Sequence, residues 1–157
     1  MSRRDEERRM RSASRLYAVQ ALYQMEAAGL PLDRVRQEFE SHRFGQEVAG
    51  EELSEGDVEL FRALLEGALE HQAKIDQMTD RALKASWPID RIDPVLRALF
   101  RASGAELTHA QTPPKVVISE FVEVARAFFP DSREVGFVNA VLDHMAREAQ
   151  PAAFAER

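Results

Sequence analysis

The chain contains no cysteine, which removes disulfides, thiolate nucleophiles and cysteine-bound metals from consideration. Its seven glycines are scattered, and none falls in a G-x-x-x-x-G-K-[ST], G-x-G-x-x-G or G-x-S-x-G pattern. The usual glycine-dependent phosphate cradles and nucleophile elbows are therefore missing. No apolar run approaches the roughly 18–20 residues of a membrane-spanning helix. The opening Met1–Glu7 is charged where a signal peptide would be apolar, so the cytoplasm is the expected location. Four histidines stand at positions 42, 71, 109 and 144, with no pair at the i, i+3 or i, i+4 spacing of a helical metal site. Each is expected on the surface or in a loop. Carboxylate pairs such as Glu120 with Glu123 are expected on solvated helix faces. No catalytic residue, metal or cofactor is indicated, and the expectation is a protein that is not an enzyme.

What the chain has is helical periodicity and an uneven charge. Hydrophobic residues make up 45% of 157 positions, enough to bury the core of one domain or of two small subdomains. The net charge of −6 argues against a surface that is basic throughout. Residues 1–15 nonetheless carry six arginines against three acids, a local +3 that leaves −9 on the remainder. A basic arm on an acidic body suits nucleic-acid contact, and the same run also describes a solvated tail.

From Ser14 to about Ala28, Leu16, Val19, Leu22, Tyr23 and Met25 share one helical face. Gly29-Leu30-Pro31 ends that helix, and a shorter one runs to about Glu40 with Leu32, Val35 and Phe39 inward. Residues 41–54 lack a period and are read as a long loop. Ser54 is expected to cap a helix carrying Val58, Phe61, Leu64, Leu65, Ala68 and Leu69. Another is expected over about Lys74–Ser86, ended by Trp87-Pro88. Asp93-Pro94 opens the next with an acid at the N-cap and proline in the first turn. Within it, Ser103-Gly104 is a soft spot or a place of close backbone approach. Lys115–Phe129 is apolar on almost every side and is expected to be the central helix. A last helix places Val138, Val141, Leu142 and Met145 inward, followed by a frayed tail. With no segment of period two, the fold class is all-α, with about seven helices.

Arg8, Arg11 and Arg15 fall at spacings of three and four, so they share a face if the first helix reaches back that far. The planar guanidinium donates two hydrogen bonds to a phosphate and stays charged at any working pH. Tyr17, Tyr23 and the phenylalanines of the C-terminal third could stack on unpaired bases. A core role serves Tyr23 and Phe137 equally well, since both lie on apolar faces. Asn139 and Asp143 lie four apart, and a structural role is favoured for Asn139.

Two stretches carry a family resemblance: Arg15-Leu16-Tyr17-Ala18-Val19-Gln20-Ala21-Leu22-Tyr23 and Phe137-Val138-Asn139-Ala140-Val141-Leu142-Asp143. They resemble the R-x-x-A-x-Q-x-L-Y and F-V-N-G-V-L-D patterns of the NusB family of transcription antitermination factors. Asp93–Arg101, Glu106-Leu107, Pro113–Glu120 and Val122–Phe128 resemble further family segments in the same order, so the likeness spans roughly Arg11 to Ala146. It implies two packed small helical bundles, over about 14–73 and 74–149, with a basic, partly flexible arm at 1–13 and a frayed tail at 150–157. It also implies binding of single-stranded boxA RNA from ribosomal RNA operon leaders together with a small-subunit ribosomal protein, NusE. Other Nus factors and RNA polymerase would be engaged indirectly.

By the same resemblance, Arg8, Arg9, Arg11 and Arg15 would hold phosphates, with Tyr23, Phe128 and Phe137 as aromatic contacts and Asp131 discriminating bases. Ser119, Ala105 and Ala140 stand where the family usually has Asn, Tyr and Gly. Leu96 stands where many relatives have an acid, on the helix that meets the ribosomal protein. Asp90, Asp93 and Leu96 are the expected partner contacts. A second reading is a NusB-like adaptor or homodimer with little specific RNA affinity.

Overall fold

Helix α1 starts at Arg3, a dozen residues before its apolar face begins, and continues to Ala28. Ser2 makes that early start by accepting a hydrogen bond from the Asp5 amide at 3.1 Å, and Asp5 and Glu6 suit the positive end of the helix dipole. Gly29 closes the helix in the left-handed region at φ 65°, where a side chain would be strained. The computed structural model describes residues 2–42, 47–48, 51–52, 56–83, 89–130 and 132–155.

Six further α-helices follow among these residues: α2 (Leu32–His42), α3 (Val58–Glu70), α4 (Gln72–Ala82), α5 (Pro94–His109), α6 (Pro114–Phe128) and α7 (Ser132–Ala149). Short 3-10 turns cover Ile89–Arg91 and Pro151–Phe154. Within the expected loop, Glu47–Val48 (β1) and Glu51–Glu52 (β2) pair as a two-residue antiparallel ladder. Ser54 and Trp87-Pro88 lie outside the described residues. Asp57 caps α3 instead, its carboxylate accepting from the Leu60 amide at 3.0 Å. Asp93 caps α5 as expected, accepting from the Val95 amide at 2.8 Å.

The central helix is α5 and not α6. It packs against α1, α3, α4, α6 and α7, and its residues from Ala98 to Leu107 are buried apart from Arg101. Helix α6 misled because apolar side chains outnumber its polar ones; Lys115, Val116, Ser119, Glu123, Arg126 and Ala127 all face solvent. Helix α1 also packs against α2, α3 and α6, and α7 against α4 and α6, and the buried side chains form a single hydrophobic cluster. The chain is tied down just after α7: Gln150 Nε2 donates to the Leu107 carbonyl at 2.7 Å. Arg147 lies 4.7 Å over the Phe154 ring.

Gly104 marks the close approach of α4 to α5. A Cβ there would lie 2.4 Å from Ile75 Cγ2, on a β-branched side chain that is itself buried. Gly104→Ala is therefore expected to destabilise the fold by about 1–3 kcal/mol through overpacking, although alanine is the better helix former. Urea denaturation measures it; a midpoint at or above that of the parent would mean that α4 can move away.

Candidate RNA interface

The arginines spaced three and four apart follow one strip of α1 that runs from solvent into the core. Arg8 is exposed, Arg11 is half-buried and Arg15 is buried, at 2% exposure. Arg15 is thus not the phosphate ligand that its spacing suggested. Its Nε donates to Glu106 Oε1 at 2.8 Å and its Nη2 to Oε2 at 2.7 Å, a bidentate pair with a carboxylate that is itself 0% exposed. The remaining Nη1 lies 3.2 Å from Glu120 Oε1 on α6. Burial alone would push the Arg15 guanidinium below its ordinary value. The hydrogen bonds and charge of Glu106, helped by Glu120 and Asp57, hold it above. The side chain remains charged and pins α1 to α5 and α6.

A second set of contacts fixes the same stretch of α1. The Ser12 hydroxyl donates to both oxygens of Glu120, at 2.9 and 3.1 Å. The Ser14 hydroxyl donates to the Asp57 carbonyl at 2.7 Å, and the Asp57 amide donates to the Met10 carbonyl at 3.2 Å. Helix α1 is thus held from Met10 onward, and its first two turns project beyond the anchor. No described residue forms an ion pair with Arg8, Arg9 or Arg11; Arg3 pairs with Glu7. The anchor residues Glu106 and Glu120 carried one readable signal: Glu106 is an acid within an apolar run, and such an acid needs a partner.

The other expected contacts divide. Tyr23 is 40% exposed, three turns along α1 from the arm. Phe128 and Phe137 are half-buried against the core, and the Phe137 ring meets Phe100 edge-on with centroids 6.3 Å apart. Each can offer at most one face or edge to a base. Asp131 lies outside the described residues. Asn139 is exposed beside a groove of about 350 Å³ between α6 and α7, lined by Lys115, Ser119 and Arg126 among others. Its exposure does not fit the buried structural role expected for it, and Asp143 pairs with Arg147 at 2.9 Å.

Of the expected partner contacts, Asp90 and Asp93 are exposed at the entry to α5. Leu96 is not available: it is 6% exposed and part of the hydrophobic core, so an incoming protein does not reach its side chain. Among the described residues no three histidine or acidic side chains gather as a metal site, and no helix is long and apolar enough to cross a membrane.

The NusB family model matches residues 12–147. A transcription antitermination protein NusB from Nitrobacter hamburgensis is 46% identical over 152 residues, which covers 96% of this chain and 94% of that one. Its counterpart from Caulobacter vibrioides is 45% identical over 141 residues, covering 89% and 94%. Among solved structures, T. maritima NusB superposes with a TM-score of 0.72 at 26% identity, over 91% of this chain and 95% of that chain. A chain from the crystal structure of antitermination factors NusB and NusE in complex with dsRNA shares the fold, with a TM-score of 0.70 at 23% identity over 89% and 98% of the two chains. With the family model spanning nearly all of the helical body, this chain belongs to the NusB family.

Proposed function

We propose that this chain is a transcription antitermination factor. It binds the boxA element of ribosomal RNA leaders jointly with the ribosomal protein NusE in the cytoplasm, supports read-through by RNA polymerase and catalyses no reaction. The observation that carries this reading is the near full-length match, at 46% identity, to an antitermination protein. The interface follows from the anchored arm. Arg8, Arg9 and Arg11 hold RNA phosphates, because none pairs with an acid among the described residues, Arg8 and Arg9 being exposed on the projecting turns and Arg11 half-buried beside the Ser12–Glu120 contact. Tyr23, Phe128 and Phe137 supply edges or faces for bases, and Asp131 reads base amino groups. Asp90 and Asp93 present carboxylates to the ribosomal protein. Leu96 acts behind them by packing the start of α5, and Arg15 acts by holding the arm.

The activity is measured by transcription in vitro through a terminator placed behind a boxA leader. Read-through is expected to rise when this chain and the ribosomal protein are added together, and to fall back when boxA is scrambled. Read-through independent of boxA would overturn the proposal.

A further inference from the structure

A second cluster of cationic side chains lies away from the arginine arm. At the turn between α3 and α4 the His71 ring stacks on that of His109, the last residue of α5, with centroids 3.8 Å apart and planes inclined by 21°. The pair borders a cleft of about 490 Å³, into which Lys74, Gln77 and Arg81 of α4 and Glu148 of α7 also face. Glu148 is committed to Arg81, with Oε1 2.5 Å from Nε. Among the described residues the acid beside the imidazoles is Glu70, whose carboxylate is 3.9 Å from His71 Nε2 and mostly exposed. Lys74 has no ion-pair partner among the described residues.

We infer that this cleft is an anion site that takes a phosphate group, held by Lys74 and by the His71–His109 pair. Two stacked imidazoles repel once both are protonated, and Lys74 adds to the repulsion. A phosphate seated in the cleft reverses that balance, because it accepts hydrogen bonds from the ammonium and from imidazolium N–H groups together. Partial burial, followed by the neighbouring His71 and Lys74 and only partly opposed by Glu70, already holds His109 below the ordinary imidazole range. An anion in the cleft opposes that effect and favours the protonated form of His109. The charged groups that face it are Glu70 on α3, His71 at the turn, Lys74 and Arg81 on α4, His109 on α5 and Glu148 on α7.

Its place in the fold suggests what carries the phosphate. Glu106, which holds Arg15 at the base of the arm, precedes His109 by one turn of α5, so cleft and arm share one end of the bundle. The phosphate belongs either to an RNA strand or to a free phosphate-bearing small molecule. The chemistry is the same for both and does not require that the chain bind boxA.

The test follows the imidazole resonances of the intact chain by NMR during titration with inorganic phosphate at pH 6.5, with ionic strength held constant by chloride. The His71 and His109 signals are expected to move along a saturating curve. Lys74→Gln, on an exposed position that the core does not use, should weaken the apparent affinity by roughly fivefold. In saturating sulfate, whose charge is constant over the range, the His109 titration midpoint should rise, and binding should tighten as the pH falls from about 7.5 to 6. A linear drift of both signals, or the same curve in Lys74→Gln, would overturn the inference. A short RNA without boxA forms the second arm. If it saturates these signals below the phosphate concentrations needed, the source is RNA; if only inorganic phosphate does so, the source is a small molecule.

Discussion

Glu106→Ala is expected to lower the stability of the fold by about 3–5 kcal/mol, the largest effect of any single substitution considered for this chain. The carboxylate lies on the central helix at 0% exposure, and its removal leaves the Arg15 guanidinium buried with Glu120 as its remaining ion-pair partner among the described residues. The lost hydrogen bonds matter less than the uncompensated charge, which burial cannot hold cheaply. Replacing both partners, as Arg15→Met with Glu106→Leu, removes the charges together and should recover most of the loss. Urea denaturation of the two single variants and the double gives the coupling energy. A Glu106→Ala cost below about 1 kcal/mol would mean that water reaches Arg15. The double variant also tests what Arg15 does. Since its guanidinium is buried, the salt dependence of RNA binding should be the same with and without it.

Replacing Arg8, Arg9 and Arg11 together by glutamine should have the opposite pattern, leaving stability within about 0.5 kcal/mol and weakening RNA binding strongly. Three phosphate contacts on a single strand release about 0.7 counterion each, so log K should fall with log salt at a slope near −2. At about 0.15 M salt that term alone is worth roughly fifty-fold in affinity, which the triple variant should lose along with the slope. Equilibrium binding at several salt concentrations measures both quantities. A parent slope near zero, or a triple variant that keeps it, would remove the arm from the interface.

These two results separate an anchor from a contact, a distinction that residue spacing cannot make. Spacing placed Arg8, Arg11 and Arg15 on one strip of α1, and they do lie on one. What spacing does not carry is where neighbouring helices begin to cover that strip, because this depends on the packing of α5 and α6. Leu96 misled for a related reason. Its position in the family pattern suggested an interface, while its register on α5 put it in the core. Helix α6 looked central by composition, yet burial follows the number of neighbours, and α5 has helices on every side.

Local chemistry was more legible. The Asp93-Pro94 start of α5 and the Gly29 stop of α1 each rest on one residue's backbone. They were accordingly visible in the sequence. The His71–His109 stack was not, since it joins residues 38 positions apart through tertiary packing alone.

The most direct measurement is binding of a boxA RNA and a scrambled control of equal length, at fixed near-physiological salt, with and without NusE. Preference for boxA that strengthens when NusE is present is the predicted result. Equal, weak binding to both RNAs, unchanged by NusE, would contradict it and mean that this NusB-family fold performs another task.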